Sequence, residues 1–249
     1  MRLLLTNDDG VNSKGIYTLA KELQKEHEIV IAAPSVEMSA KSHSITISDP
    51  LFIKEVKLDG IDVTAYSISG TPADCVKVAL DKILSKPIDM VISGINYGTN
   101  LGVDILYSGT VSAAIEAAIH NVPSIAISAE VKNEDINFDT AAIVAKDIIK
   151  ISKDNFINNN LVLNVNVPCL DKESLKGLKT CQMGGRTFTS CFQEVKKEDE
   201  TSYILRGEIT SNHKANTDIY HLRNGYTTVT PLHYDLTNFK IMNDVSNWF

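Results

Sequence analysis

The chain has no long apolar run and no closely spaced pair of cysteines. Its most apolar stretch, residues 111–128, is interrupted by Glu116, His120 and Pro123, so we expect no membrane-spanning helix. Only three consecutive leucines precede the first polar residues, which is too few for the apolar core of a secretory signal. The four cysteines form no C-x-x-C pair, a pattern typical of reduced thiols in a cytoplasmic protein.

An excess of basic residues is also lacking. The 249 residues include 24 Lys and Arg against 31 Asp and Glu, a net charge of −7. This balance argues against binding to a nucleic-acid polymer or an anionic membrane, because both require clustered basic residues. An anionic substrate would therefore need another source of positive charge, and a metal ion is the obvious candidate.

Several familiar catalytic signatures are absent. The chain has neither the G-x-x-x-x-G-K-[ST] motif of P-loop enzymes nor the G-x-G-x-x-G motif of dinucleotide-binding domains. Residues 94–98 have the glycine spacing of a nucleophile elbow, but Asn96 replaces the required serine, so a serine hydrolase is excluded. No H-E-x-x-H or H-x-H pair is present, which disfavours zinc.

Short apolar runs alternate with helical patterns over the first two-thirds of the chain. The predicted strands are residues 3–5, 29–33, 51–57, 63–67, 90–93, 124–128 and 161–167, and the predicted helices lie around residues 16–23, 71–83, 110–121 and 138–152. Buried strands that alternate with amphipathic helices predict an α/β fold, a doubly wound and mainly parallel sheet with helices on both faces.

The character of the sequence changes near residue 170. Residues 203–210 and 226–230 have strand patterns, residues 218–222 a short helical pattern, and the charged run 196–200 is typical of a hairpin tip. We therefore expect a catalytic core over residues 1–170 and a smaller β-rich extension over residues 171–249. The apolar terminus at Trp248 and Phe249 predicts docking on the core or on a second subunit.

Oxygen-bearing side chains follow three of the predicted strands. Asn7-Asp8-Asp9-Gly10 follows the first, a polar loop over residues 34–39 the second, and residues 94–102 the strand at 90–93. Ligands bind beyond the carboxyl ends of strands in open α/β sheets. These loops supply two carboxylates, a hydroxyl and an amide, which are hard donors that suit Mg²⁺, Mn²⁺ or Ca²⁺. Adjacent carboxylates repel unless a cation or solvent screens them, so Asp8-Asp9 fits a metal cradle; the alternative is a simple tight turn.

Glycine is concentrated beside the third loop. Gly94, Gly98, Gly102 and Gly109, four of the chain's 13 glycines, fall within 16 residues. Bare backbone N–H groups can form an anion nest, and Ser108-Gly109-Thr110 leads into a helix whose N-terminus favours phosphate; a plain helix cap is the alternative. A phosphate nest that faces a two-carboxylate metal site predicts hydrolysis of a phosphate ester by metal-activated water in line with the leaving group.

Long segments resemble the SurE survival-protein family. The resemblance rests on residues 7–10 (NDDG), 70–76 (GTPADCV) and 93–118 (SGINYGTNLGVDILYSGTVSAAIEAA), and continues at residues 123–126, 164–168 and 230–232. It implies a Rossmann-like core and a metal-dependent phosphatase that acts on nucleoside 5′- and 3′-monophosphates and, in some members, on polyphosphate.

The resemblance also implies roles for individual residues. One divalent cation, Mg²⁺ or Mn²⁺, would be held by Asp8, Asp9, Ser39 and Asn96, with Asp8, Asp9 and Asn96 catalytic. Phosphate would be received by Asn96 and by Ser108, Gly109 and Thr110. A hairpin and a terminal arm exchanged between subunits would give a homodimer or homotetramer.

One departure from the family lies in the second loop, where Ala40 stands in place of the usual glycine. Because alanine reaches positive φ only at a cost, this loop is expected to differ in shape or order. Lys41 and His43, which follow, either meet the substrate phosphate or assist proton transfer, or are simply solvated side chains.

Two other classes of protein share parts of this pattern. Phosphoacceptor receiver domains also place an acidic pair after the first strand, but they need a further Asp at the end of a central strand, and residues 67–70 supply none. They are also about half as long as this chain. A nucleotide-binding protein without turnover is the third possibility, and release of phosphate separates it from an enzyme.

Overall fold

The protein is described here by a computed structural model that covers residues 1–156, 161–186, 188–197, 200–209 and 214–249. The strands are β1 (Arg2–Thr6), β2 (Glu28–Pro34), β3 (Ile53–Val56), β4 (Thr64–Ile68), β5 (Met90–Tyr97), β6 (Ser124–Ala129), β7 (Val131–Lys132), β8 (Asp135–Ile136), β9 (Val162–Val167), β10 (Leu178–Thr180), β11 (Phe188–Lys197), β12 (Glu200–Ile209) and β13 (Thr227–Leu232). The helices are α1 (Lys14–Leu23), α2 (Pro72–Val78), α3 (Gly109–Ile119), α4 (Phe138–Phe156), α5 (Asp218–Arg223) and α6 (Met242–Ser246).

A nine-stranded sheet forms the centre of the fold, in the order β10-β13-β9-β6-β5-β1-β2-β4-β3. Strands β4, β2, β1, β5, β6 and β9 run parallel, whereas β3 pairs antiparallel with β4 and β13 antiparallel with β9. This arrangement confirms the predicted α/β fold with a mainly parallel sheet. The carboxyl ends of β1, β2 and β5, which lie side by side, therefore share one edge of the sheet.

Side chains that alternate along the central strand pack against different helices. Leu3 and Leu5 belong to the apolar cluster that α1 and α4 cover, whereas Leu4 packs with Val76 of α2 and Ala113 of α3. Helices therefore cover both faces of the sheet, as predicted. Among the described residues, no helix is long and apolar enough to cross a membrane.

Local sequence signals place the start of α2. Thr71 caps the helix, with its hydroxyl accepting from the Asp74 N–H at 3.1 Å and the Asp74 carboxylate accepting from the Thr71 N–H at 2.9 Å. Pro72 occupies the first helical position, where its missing N–H costs nothing. A single π-helical turn, Ala79–Ile83, follows α2 and completes the predicted helix.

The region beyond residue 170 contributes to the same sheet. Strand β13 extends it beside β9, and β10 continues it at the edge. Strands β11 and β12 form a separate antiparallel hairpin. The tip predicted at residues 196–200 lies where Lys197 pairs with Glu200, and residues 198–199 of it are outside the described residues. The division at residue 170 stays a prediction.

Candidate functional site

The acidic pair follows β1 directly in a tight turn. The Asn7 side chain donates to the Gly10 carbonyl at 3.0 Å and to the Ser13 hydroxyl at 2.8 Å, and Gly10 has φ +96°. These four residues thus have the compact geometry of a turn, which does not by itself decide between a simple turn and a metal cradle. It is compatible with a ligand site, because the turn holds Asp8 and Asp9 at the carboxyl end of a central strand.

Asp8 is buried and joins two other segments. The Thr110 hydroxyl donates to Asp8 Oδ1, the Thr110 N–H donates to Oδ2 at 3.2 Å, and the Asp8 carbonyl accepts from the Met38 N–H at 2.7 Å. Burial raises the pKa of the Asp8 carboxyl, and the hydrogen bonds from Thr110 oppose that shift only in part. Asp8 therefore ties the loop before Ser39 and the start of α3 to the end of β1.

Asp9 makes the connection to the third loop. Its Oδ2 accepts from the Tyr97 N–H at 3.0 Å. Burial raises the pKa of Asp9 to about 6, and repulsion from Asp8 and Glu37 adds to the shift, while the bond from Tyr97 opposes it. A cation beside these two carboxylates would remove the penalty that burial imposes on their charge.

Ser39 lies on an exposed loop that is joined to the acidic pair by the hydrogen bond from the Met38 N–H to the Asp8 carbonyl. Its hydroxyl donates to Glu37 Oε1 at 2.8 Å. The loop has left-handed backbone at Ala40, with φ +56°, and at Ser42, with φ +53°. Ala40 thus has a positive φ, a backbone conformation that alanine reaches only at a cost and that the family's usual glycine adopts freely.

Asn96 lies in a strand, contrary to the sequence prediction that residues 94–102 form a loop. Strand β5 continues to Tyr97, because its pairing with β6 resumes at Asn96 after a register shift behind Ser93. The Asn96 Nδ2 donates to the Gly98 carbonyl at 2.7 Å, so its side-chain oxygen is the atom left for a ligand.

The start of α3 meets the acidic pair. The Ser108 hydroxyl caps the helix by accepting from the Val111 N–H at 3.1 Å, and the Thr110 N–H points to Asp8. Of the first-turn N–H groups, that of Gly109 is therefore the one available to an anion. A Cβ on Gly109 would lie 2.9 Å from the Asp8 Cβ, which shows how closely the helix approaches the carboxylate.

The side chains that the sequence left open have specific surroundings. His43 is not a simply solvated residue, because its Nε2 lies 2.8 Å from Glu116 Oε2 on α3. Tyr97 and Tyr107, next in the chain to Asn96 and Ser108, have 55% and 62% exposed side chains.

A buried asparagine network behind the third loop was not predicted as part of the site. The Asn100 carbonyl accepts from the side chains of Asn164 at 2.9 Å and Asn166 at 3.0 Å, and the Asn100 side chain donates to the Ser128 hydroxyl at 2.8 Å. Two fully buried asparagines at alternate positions of one strand were the available signal, because buried polar side chains require partners.

Asp218 fastens the same loop from the other side. This fully buried carboxylate at the start of α5 accepts from the N–H groups of Gly102 and Gly184, both at 2.8 Å. The backbone that leads from Asn96 to Ser108 is therefore held by polar bonds on two sides.

The candidate metal ligands come from different residue classes. Among the described residues, no group of three or more His, Cys, Asp or Glu side chains is arranged to hold a metal ion. The set predicted from the sequence contributes two carboxylates, Asp8 and Asp9, and draws its other oxygens from Ser39 and Asn96. All four are hard donors of the kind that Mg²⁺ and Mn²⁺ prefer, so the donor chemistry fits such a cation.

Comparisons with known proteins find a matching family model, similar sequences and a similar solved structure. A family model described as survival protein SurE matches residues 3–190. A protein of Clostridium tetani (strain Massachusetts / E88), named 5′-nucleotidase SurE, is 81% identical over 249 residues and covers 100% of both chains. A protein of Clostridium botulinum (strain Loch Maree / Type A3) with the same name is 50% identical over 251 residues, covering 100% of this chain and 99% of the relative. The crystal structure of the SurE protein from Aquifex aeolicus matches with a TM-score of 0.87 at 39% identity, covering 100% of this chain and 99% of that one.

Proposed function

The chain belongs to the SurE survival-protein family, and on that premise we propose that it is a 5′-nucleotidase, a phosphatase that hydrolyses nucleoside monophosphates. More specifically, we propose that this enzyme depends on a divalent metal ion and that it also accepts 3′-monophosphates and polyphosphate. The observation that supports it is the set of hydrogen bonds that joins three loops around Asp8 and Asp9.

We propose that Asp8, Asp9, Ser39 and Asn96 hold one Mg²⁺ or Mn²⁺. When bound, the cation would polarise the phosphate oxygens and activate a water for in-line attack. The chain's own contribution is to preorganise the donors. Thr110 orients the Asp8 carboxylate, the Tyr97 N–H orients Asp9, and the bond to Gly98 turns the oxygen of Asn96 towards a ligand.

Phosphate would be received at the start of α3. The Gly109 N–H is available there, the Ser108 hydroxyl is adjacent, and the helix N-terminus favours negative charge. Thr110 was predicted to contact phosphate as well, but its hydroxyl and N–H both point to Asp8, so we propose that it acts mainly by orienting that carboxylate.

The test is release of phosphate from a panel of 5′- and 3′-nucleoside monophosphates and polyphosphate, with Mg²⁺, Mn²⁺ or EDTA. We expect activity with a divalent cation, none with EDTA, and a loss of at least about a hundredfold in Asp8→Asn, because a lost ligand costs more than a lost outer-shell contact. Asp59→Asn, an exposed carboxyl between β3 and β4, is the matched control and should retain full activity.

Four results would overturn the assignment. Full activity after exhaustive chelation would show that no metal is required. Normal turnover in Asp8→Asn would show that the acidic pair is not required. A stable acyl-phosphate after incubation with acetyl phosphate would favour the receiver-like alternative, and nucleotide binding without release of phosphate would favour a binding protein.

We also propose that the chain acts as a homodimer or homotetramer in the cytoplasm. Cys75, Cys169 and Cys181 are free thiols, which fits a reducing compartment. The exposed apolar side chains at the hairpin and at the C-terminus support self-association.

A further inference from the structure

A buried carboxylate on α3 contacts side chains from two other segments. Glu116 is 5% exposed, and His43 Nε2 lies 2.8 Å from its Oε2. Its Oε1 lies 3.4 Å from Lys77 Nζ of α2 and 3.2 Å from His120 Nε2 at the end of α3. The hydrogen bond from His43 lowers the pKa of Glu116 against the opposing effect of burial. An ionised carboxylate only accepts, so Nε2 of His43 carries the proton in this contact.

His43 belongs to the loop that carries Ser39, and this loop is fastened on both sides of Ser39. Before it, the Met38 N–H donates to the Asp8 carbonyl at 2.7 Å. After it, the Ser42 N–H donates to the Tyr107 carbonyl at 3.0 Å, and the Ser42 hydroxyl donates to the Leu106 carbonyl at 2.7 Å.

Among the bonds that the structure describes from Met38 to His43, the contact between His43 and Glu116 is the only anchor formed between two titratable side chains. The loop needs such anchors, because Ala40 and Ser42 both hold left-handed backbone, which is costly for residues with a side chain. Ser39 itself is exposed and bonds to its neighbour Glu37, so its position depends on the residues around it.

Helix α3 connects the two halves of the candidate metal site. Thr110 in its first turn holds Asp8, and Glu116, about 9 Å further along the helix axis, holds the Ser39 loop. We propose that Glu116 is a positioning residue that, through His43, fixes the loop carrying Ser39 and thereby sets the affinity of the site for a divalent cation. This inference rests on the proposed metal site and goes beyond it, since neither residue is a proposed ligand.

The test measures binding of Mn²⁺ directly, from the electron paramagnetic resonance signal of the free ion, and needs no turnover. We expect Glu116→Gln and His43→Ala each to weaken Mn²⁺ binding by about tenfold, the size of effect typical of outer-shell partners. The kcat at saturating Mn²⁺ should change less than the affinity does. The double variant should bind no more weakly than either single variant, because the two residues act as one contact.

Two further variants separate positioning from a general effect on the fold. In a Ser39→Ala background, Glu116→Gln should cause no further loss of affinity, because the loop then carries no hydroxyl to place. His120→Gln is the matched control. It removes a contact to the same carboxylate from within α3, so Mn²⁺ affinity should stay within about twofold of the wild type.

The inference fails if Glu116→Gln and His43→Ala bind Mn²⁺ as the wild type does. It also fails if the loss persists in the Ser39→Ala background, or if His120→Gln causes the same loss. The His43 side chain is 30% exposed, so His43→Ala keeps the test valid should Glu116→Gln not fold. Wild-type binding that is lost in Asp8→Asn but unchanged in Glu116→Gln would overturn this inference alone, whereas absence of Mn²⁺ binding to the wild type would overturn the proposed metal site as well.

Discussion

Two adjacent carboxylates at the end of a central strand place negative charge where solvent is largely excluded. Folding raises the pKa of Asp9 from 3.8 to about 6, with burial as the main cause. A carboxyl whose pKa rises on folding favours the folded state only while it is protonated. Without a cation, the contribution of Asp9 to stability therefore falls as the pH rises from about 4 through about 6, and that contribution is not regained at higher pH.

We predict that Asp9→Asn stabilises the metal-free protein at pH 8. The expected gain in the free energy of unfolding is about 1–2 kcal/mol, less than the full pKa shift implies because Asp9 remains partly exposed. The gain should fall to about a third of this value at pH 4.5, because the folded-state carboxyl is then mostly protonated while the unfolded-state carboxyl, with its ordinary pKa of 3.8, is still mostly ionised. Urea unfolding in EDTA at both pH values measures it, with Asp59→Asn as the exposed control. A gain that is equal at both pH values would mean that charge burial is not its source.

The acidic pair could be recognised in the sequence because its two residues are adjacent. The contacts between other site residues could not be predicted in this way. Asp8 and Asp9 stand next to each other after a predictable strand. The contact between His43 and Glu116, in contrast, spans 73 positions, and that between Asp8 and Thr110 spans 102. No local spacing rule pairs residues at such separations, because the pairing is set by how α3 and the second loop pack on the sheet.

At the scale of single elements, helix α3 lies so close to the end of β1 that a side chain on Gly109 would not fit. A Cβ there would lie 2.9 Å from the Asp8 Cβ and 3.1 Å from the Pro72 Cγ. Neither atom is the far end of a flexible side chain, so either the first turn of α3 or the Asp8 backbone would have to move.

We predict that Gly109→Ala lowers the free energy of unfolding by about 1–3 kcal/mol, as overpacking does, and lowers kcat/KM at least about tenfold by displacing Asp8. Urea unfolding and release of phosphate from a nucleoside monophosphate measure the two effects. Gly185→Ala is the control, because its Cβ would meet nothing within 4 Å, and it should change stability by less than about 0.5 kcal/mol. Normal activity and stability in Gly109→Ala would contradict the close approach.

The element boundaries that the sequence predicted fail mainly at β5. Glycine at position 94 signals a turn by propensity, yet the strand continues to Tyr97, because β6 offers Ser128 and Ala129 as partners after the register shift. Tertiary pairing therefore overrides the local signal, and Asn96 gains the rigidity of a strand. The start of the helix predicted around residues 71–83 is confirmed, because it is set by a capping box at Thr71 that depends only on neighbouring residues.

At the scale of the whole molecule, the sequence predicted the parallel sheet but not how its last strands join. Alternation of apolar runs and helices identifies β1 to β6 and β9, because these strands are joined by local connections, whereas the two-residue strands β7 and β8 were not predicted. Strand β13 pairs antiparallel with β9 across residues 168–226, and a composition change near residue 170 does not reveal that pairing. The hairpin of β11 and β12 pairs only with itself in the sheet topology of the described residues.

One face of that hairpin is apolar and exposed to solvent. Phe192 lies opposite Leu205, and Tyr203 is two residues along on the same face; the three are 69%, 61% and 61% exposed. A two-stranded hairpin is marginally stable in water without a packing partner. Trp248 and Phe249 at the C-terminus are 72% and 103% exposed. They therefore do not dock on the core of the same chain, which was the first of the two alternatives predicted from the sequence. A second copy of the chain is the partner that the family resemblance implies for both segments.

We predict that light scattering on a sizing column gives a dimer or tetramer of the 27.3 kDa chain, and that Leu205→Glu reduces the mass towards that of one chain. The introduced carboxylate would be buried without a partner in a hairpin interface, which costs several kcal/mol and outweighs the contacts it leaves intact. Gln193→Glu adds the same charge to the opposite face of the hairpin and should leave the mass unchanged, because Gln193 pairs with Ile204 away from the apolar face. A wild-type mass of one chain would mean that the apolar face is covered by something other than a second copy. An unchanged mass in Leu205→Glu would instead place the contact between copies elsewhere, with the exposed C-terminal aromatic pair as the next surface to alter.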